Sequence, residues 1–170
     1  MYVYTMTPQS TVNLLLKLPL HSASNSQMKK TVKLKIAIIG GGLVGPICAL
    51  YMARRGFHVT VFEHRRDPRD WGFVGGRSYN LAVSHRALRA LRELGLEKDV
   101  LSASVAMNGR YLHQLNRKYK ALLYDPKDGQ CLYSIPRGVL NRILLDVLTK
   151  TNNIEIVFEH KLLAAKRLAN

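Results

Sequence analysis

The apolar residues of this chain fall into runs of different period, and their order predicts an α/β fold. Ile36-Ala37-Ile38-Ile39 is apolar without alternation, as expected for a strand covered on both faces of a parallel sheet. His58 to Phe62 reads as a second strand, and Ile154 to Phe158 as a third parallel strand beside the first. Between them the spacing becomes helical. Ile47, Cys48, Tyr51 and Met52 recur at helical intervals up to Gly56, a natural stop. Ser84 is placed to cap a helix whose inward face is Ala87, Leu88, Leu91 and Leu94, with Gly95 as terminator. Val139, Leu140, Ile143, Leu144, Val147 and Leu148 form a third helical stripe.

The corner after the first strand carries the strongest chemical signal. Gly40 permits a tight bend, Gly42 removes a side chain where a pyrophosphate approaches the main chain, and Gly45 lets the following helix pack closely on the strand. Unpaired N–H groups at that helix start, at the positive end of its dipole, stabilise a diphosphate without any lysine. Pro46 fits the first helical turn, where a missing donor costs little. Glu63 ends the second strand 18 residues beyond Gly45, placed to accept hydrogen bonds from the ribose hydroxyls of an adenosine. A carboxylate there repels a 2′-phosphate and favours FAD or NAD, although Arg65 and Arg66 lie close by. A glycine-rich turn that binds nothing is the plainer alternative.

Further along, Tyr111 to Leu115 and Tyr119 to Tyr124 flank Asn116-Arg117-Lys118, which suits a hairpin with a three-residue loop. With Leu115 opposite Tyr119 and Leu112 opposite Leu122, Arg110 is expected directly opposite Tyr124 on one face. A guanidinium fork beside a phenol makes a carboxylate receptor; a structural stacking pair is the other reading. Asp125 to Gly129 then reads as a turn and Gln130 to Ser134 as a short strand. Arg137, just before the last helix, fits either a flavin diphosphate contact or a surface position at a helix start.

Composition narrows the classes that remain. The 170 residues suffice for one domain with a real core but are short for an enzyme of this type. Cys48 and Cys131 lie far apart and in no metal-ligand or redox spacing, so a reduced, cytoplasmic setting is expected, with no metal. The balance of 26 basic to 11 acidic side chains gives a net charge of +15. These charges are scattered, with no aromatic interleaving or nucleic-acid module, so no nucleic-acid partner is expected. Residues 1–32 read as an unstructured extension whose apolar run, Val12 to Leu20, is too short and too interrupted to span a membrane.

The segment GRSYNLAVSHRALRAL, Gly76 to Leu91, following GGGLVG and VFEHR, resembles the amino-terminal third of the kynurenine 3-monooxygenase family of flavoprotein aromatic hydroxylases. The likeness covers roughly residues 33 to 165. It implies FAD as the bound dinucleotide, NADPH as a transient electron donor, O2 as co-substrate and L-kynurenine as the aromatic substrate. It also implies FAD contacts at Val44, Phe62, Glu63, His64, Arg65, Ala82, Arg137 and Leu162, beside Gly40, Gly42 and Gly45. Arg110 and Tyr124 match the two positions that hold the substrate's carboxylate. No protein nucleophile or acid–base catalyst is nominated, because the cofactor carries such chemistry and His85, His113 and His160 read as structural or surface residues.

The fold expected is therefore a Rossmann-like FAD-binding α/β domain over residues 33–170, with a parallel sheet and an inserted β-hairpin at about 107–134. It is expected to be incomplete. Flavoproteins of this fold close the site with a later strand bearing a Gly-Asp pair, which points to a truncated or split product that a missing carboxyl-terminal part would complete. Two rival functions stand beside it: a non-catalytic FAD or NAD binding module, and a basic nucleic-acid or anionic-surface binder.

Overall fold

Gly40, Gly56, Gly95 and the Ser84 cap fall between elements in the computed structural model, which describes residues 2–7, 14–16, 35–71, 79–113 and 119–167. In chain order the elements are β1 (Tyr2–Thr7), β2 (Leu14–Leu16), β3 (Lys35–Ile39), α1 (Val44–Arg54), β4 (His58–Phe62), α2 (Pro68–Trp71), β5 (Asn80–Val83) and α3 (His85–Glu93). There follow α4 (Glu97–Ser102), β6 (Val105–Met107), β7 (Gly109–His113), β8 (Tyr119–Leu123), β9 (Leu132–Pro136), α5 (Arg137–Thr149), β10 (Ile154–Val157) and β11 (Lys161–Arg167). The chain divides into two units: Met1–Val74 with Leu144–Asn170, and Gly75–Ile143.

The first unit is built on a parallel sheet of order β10-β4-β3. β4 is central and its Val59, Val61 and Phe62 are buried, whereas β3 has one partner among the described residues and is only half-buried at its middle residues. The strand order corrects one expectation. The third parallel strand lies beside the second, with Ile154 opposite Val59 and Val157 opposite Phe62, and not beside the first. The side-chain amide of Asn153 donates to Ala53 O and Phe57 O at 2.9 and 2.7 Å, which brings the start of β10 to the entry of β4.

The inward face of α1 is also shifted. Pro46, Ala49, Leu50 and Ala53 are buried, while Ile47, Cys48, Tyr51 and Met52 are half-buried. Small residues at i and i+4 bring the helix closer to the sheet than the bulkier flanking side chains would, so size overrides apolarity in choosing the face. From α5 the unit receives the buried Leu144, Leu145 and Leu148, each contributing about 1.5–3 kcal/mol when fully covered.

The same unit holds an antiparallel sheet of order β11-β1-β2. Tyr2 pairs with Arg167 and Thr7 with Lys161, with an irregularity between Thr5 and Met6. Residues 1–32 were expected to be unstructured, yet β1 and β2 fall inside that span. The stretch Tyr2–Thr7 is rich in aromatic and β-branched residues, which suit a pleated strand better than their polar neighbours suggest.

In the second unit, β5, β9 and β6 form an antiparallel sheet of order β5-β9-β6, with Leu81 opposite Ile135 and Ala106 opposite Tyr133. The short strand expected at Gln130 to Ser134 is displaced by two residues to Leu132–Pro136. The Ser84 hydroxyl accepts a hydrogen bond from the Ala87 N–H at 3.4 Å and caps α3, as its sequence predicts. Leu88, Leu91 and Leu94 are buried with Leu96, Val100 and Ile135, while Ala87 is exposed. Gly95 follows with φ +79°, a left-handed position that a side chain would strain. β7 and β8 pair only with each other among the described residues.

Candidate functional site

The glycine corner is assembled by a small number of close approaches. β3 ends at Ile39 and Gly40 turns with φ +106°, its N–H donating to Phe62 O at 2.7 Å. A Cβ at Gly45 would collide with the carbonyl oxygen of Gly40, so only glycine lets α1 start this close to the turn. At Gly42 a Cβ would meet nothing within 4 Å, which leaves open space on the outer side of the turn. Leu43, at the N-cap of α1, gives no side-chain hydrogen bond, and Val44, 81% exposed, opens the helix. A helix start with no side-chain cap and no acid in its first turn, beside an open cradle, fits a diphosphate group.

Glu63 faces this corner. It is 7% exposed and each carboxylate oxygen accepts a main-chain hydrogen bond: Oε2 from the Gly41 N–H at 2.7 Å and Oε1 from the Arg65 N–H at 2.9 Å. His64 Nδ1 lies 3.0 Å and Arg65 Nε 3.6 Å from Oε1. An acceptor-only group with two oxygens keeps lone pairs for further donors, so ribose hydroxyls fit this carboxylate. Phe62 is buried, between Ile39 and Val157 in the ladder, with its ring 6.3 Å from that of His160. Its side chain belongs to the core, and only its backbone borders the turn. Leu162, on β11, is half-buried and lies opposite Met6 in the ladder.

Gly41 is a further site residue that the glycine spacing alone does not single out. A Cβ there would stand 3.0 Å from Glu63 Cβ and 3.4 Å from Oε2, and its N–H is what holds the carboxylate. Three consecutive glycines, where the fingerprint asks for two, were the available signal. A second such group lies downstream: Arg69 donates through Nε to Asp67 Oδ1 at 2.9 Å and through Nη1 to Asp146 Oδ1 and Thr149 Oγ1, both at 3.2 Å. Hydrogen bonding from Arg69 holds the Asp67 carboxyl below its usual range, and the same contact raises the Arg69 guanidinium.

In the second unit, Ala82 is exposed on β5 opposite Ser134, and the Arg137 N–H donates to Tyr79 O at 3.2 Å with its guanidinium 5.7 Å from the Tyr79 ring centre. Arg137 thus stands just beyond the Asn80–Pro136 end of the β5-β9 ladder, and Ala82 two rungs further along it.

The hairpin departs from its expected register. Arg110 opposes Leu122, Leu112 opposes Lys120 and His113 opposes Tyr119, while the Tyr124 N–H donates to Asn108 O at 3.0 Å. The connection, 114–118, lies outside the described residues, and with it Leu115 of the expected Leu115–Tyr119 pair. Arg110 and Tyr124 are therefore diagonal neighbours on one face, not a directly opposed pair. A shift of two residues preserves the face, because side chains alternate with period two. Diagonal neighbours lie ~7–8 Å apart, within reach of long side chains. At Gly109 the two strands approach too closely for a side chain, since a Cβ there would strike the Leu122 carbonyl oxygen.

No helix among the described residues is long and apolar enough to cross a membrane. Residues 33–168 match a family described as FAD binding domain. The chain is similar to kynurenine 3-monooxygenases from Drosophila melanogaster, at 47% identity over 131 residues, and Anopheles gambiae, at 44% over 151 residues. These matches cover 77% and 85% of this chain but only 28% and 31% of the relatives, so the chain spans less than a third of their length. A relative from Sus scrofa is 43% identical over 77% of this chain. Among solved structures, p-nitrophenol 4-monooxygenase PnpA from Pseudomonas putida DLL-E4 superposes with a TM-score of 0.62 at 21% identity, covering 74% of this chain and 32% of that one. A 2-methyl-3-hydroxypyridine-5-carboxylic acid oxygenase gives 0.60 at 20%, covering 74% and 31%. At such identities these two likenesses speak for the fold.

Proposed function

Because the chain belongs to the FAD-binding domain family, we propose that it supplies the adenosine-gripping part of an FAD-dependent aromatic monooxygenase that converts L-kynurenine to 3-hydroxykynurenine with NADPH and O2. The observation that carries this reading is the buried Glu63 carboxylate fixed 2.7 Å from the Gly41 N–H, at the mouth of a turn where only glycine fits. The kynurenine 3-monooxygenase names of its relatives supply the substrate class.

In this proposal Gly40, Gly42 and Gly45 shape the turn, and the first amides of α1, from Val44, receive the diphosphate. Glu63 accepts the adenosine ribose hydroxyls, with Phe62, His64 and Arg65 forming the surrounding chain. Ala82, Arg137 and Leu162 are further FAD contacts. Arg110 and Tyr124 hold the carboxylate of the substrate from one strand face, where a guanidinium fork and a phenol donate charge-assisted hydrogen bonds. When bound, FAD supplies the redox chemistry, and the protein's share is binding, orientation and exclusion of water. Free Cys48 and Cys131 suit a reducing, cytoplasmic setting.

The test is calorimetric titration of the purified chain with FAD, FMN and NAD. FAD is expected to bind best, and Glu63→Ala to weaken it by about tenfold or more, the equivalent of one lost charge-assisted hydrogen bond. Absence of FAD binding, or a preference for NAD, defeats the proposal. Arg110→Ala then addresses the substrate half: it should weaken retention of L-kynurenine, but not of its decarboxylated amine, in a complete enzyme carrying this segment.

A further inference from the structure

We infer that the corner between β10 and β11, residues Phe158 to His160, is the positioning element that aims the Glu63 carboxylate at the glycine turn, and that the backbone conformation of Glu159 sets it. The inference rests on the reading of Glu63 as the ribose acceptor.

Glu63 is held at both of its backbone groups, by the last residue of β10 and by the corner that follows it. Its N–H donates to Val157 O at 2.9 Å, and its carbonyl accepts from the His160 N–H at 2.9 Å. Two residues on, the Arg65 carbonyl accepts from the Glu159 N–H at 3.1 Å. The segment carrying the carboxylate is thereby laced to the end of β10 and the corner after it, beyond the two ladders that end at Phe62. Once the main chain of Glu63 is fixed on both sides, its side chain has few directions left, and the observed one meets Gly41.

Such lacing requires two successive N–H groups, of Glu159 and His160, to reach carbonyls two residues apart on the neighbouring segment. The chain achieves this by turning at Glu159, whose φ of +58° makes it the one non-glycine residue with positive φ among the described residues. Glutamate is a poor choice for that region on steric grounds, so surrounding contacts must hold it there. The side chain does little of this holding: its ion pair with Arg66, at 3.0 Å, joins two groups each more than half exposed. His160 contributes more, with Nδ1 2.7 Å from the Phe158 carbonyl, where a proton on Nδ1 is needed, and its ring against buried Phe62. The constraint therefore lies in the main chain, and a substitution at 159 should act through its tolerance of positive φ.

The experiment is a series at one position: Glu159→Gly, Glu159→Gln and Glu159→Val, each in the full chain. Hydrogen exchange of the Gly41 amide reports the Glu63 contact directly and needs no flavin. Protection should be unchanged in Gly and Gln and reduced about tenfold in Val, whose branched Cβ fits positive φ worst. FAD affinity should follow the same order. With an FAD analogue lacking both adenosine ribose hydroxyls, the Val effect should disappear, whereas a merely destabilised fold would weaken both ligands alike. Should Val fail to fold, Glu159→Ala is read the same way with a smaller shift. A Gly41 amide as well protected in Val as in the wild type, or a loss in Gln equal to that in Val, overturns the inference. If the wild-type chain takes up no FAD, the function proposed above fails, while the exchange measurement still decides the positioning role.

Discussion

The glycine corner and the β7-β8 hairpin both carry residues assigned to binding, yet they are specified in opposite ways. At the corner the close approaches are fixed by neighbouring atoms: Gly40 O behind Gly45, and Glu63 Cβ beside Gly41, with the outer side at Gly42 left open. The hairpin is open on both faces, with Tyr111 and Tyr119 exposed by 71% and 67% on one and Leu112 by 42% on the other. Register is strongly fixed where one face is buried and weakly fixed where neither is. The corner thus presents a preorganised geometry to a ligand, whereas the hairpin offers the right side chains on the right face in a pairing that burial does not impose.

Four substitutions sharpen this contrast, the strongest first. Gly45→Ala places a methyl group into the Gly40 carbonyl and should cost about 3 kcal/mol in urea unfolding, because backbone on both sides cannot give way. Arg69→Ala removes donors from Asp67, Asp146 and Thr149; the expected loss is about 1–2 kcal/mol, discounted because Asp146 is nearly half exposed.

That second variant also carries a pH signature. The folded Asp67 carboxyl lies below its unfolded value of 3.8, so its contribution is complete above that value and disappears as pH falls through the folded one. Thermal melts from about pH 5 to pH 2 should show a shallower acid decline in Arg69→Ala than in the wild type. Gly42→Ala separates folding from binding: its methyl group meets no protein atom, so stability should stay within about 0.5 kcal/mol while FAD affinity falls about tenfold. Tyr119→Ala loses the edge-on contact with His113, 4.8 Å between centroids, for about 0.5 kcal/mol. Nuclear Overhauser contacts in the same samples should join the Arg110 and Leu122 main chains; main-chain contacts between Arg110 and Tyr124 would restore the opposed pairing.

What could be read from residue order follows the same division. The βαβ corner, the Ser84 cap and the Gly95 stop were legible because each rests on a local steric or hydrogen-bonding demand that one or two residue types meet. The neighbour of β10 was not, since apolar content says that a strand is buried and is silent about which strand it joins. Asn153, which makes that choice, is polar and looks like any loop residue. The face of α1 was misjudged because small residues carry little apolar signal while allowing the closest approach. Counting back from an assumed three-residue loop placed Arg110 two positions from its observed partner, although it kept the correct face.

The first unit is discontinuous: its opening segment runs to Val74 and its closing one begins at Leu144. A ribosome delivering ~5–20 residues per second must therefore hold β4 with one edge open while some ninety residues, Phe62 to Ile154, are made. For roughly 5–20 s at that pace the nascent chain carries an apolar strand with unsatisfied amides. Chaperone engagement during synthesis should accordingly peak before Asn153 emerges and decline once its amide reaches Ala53 and Phe57.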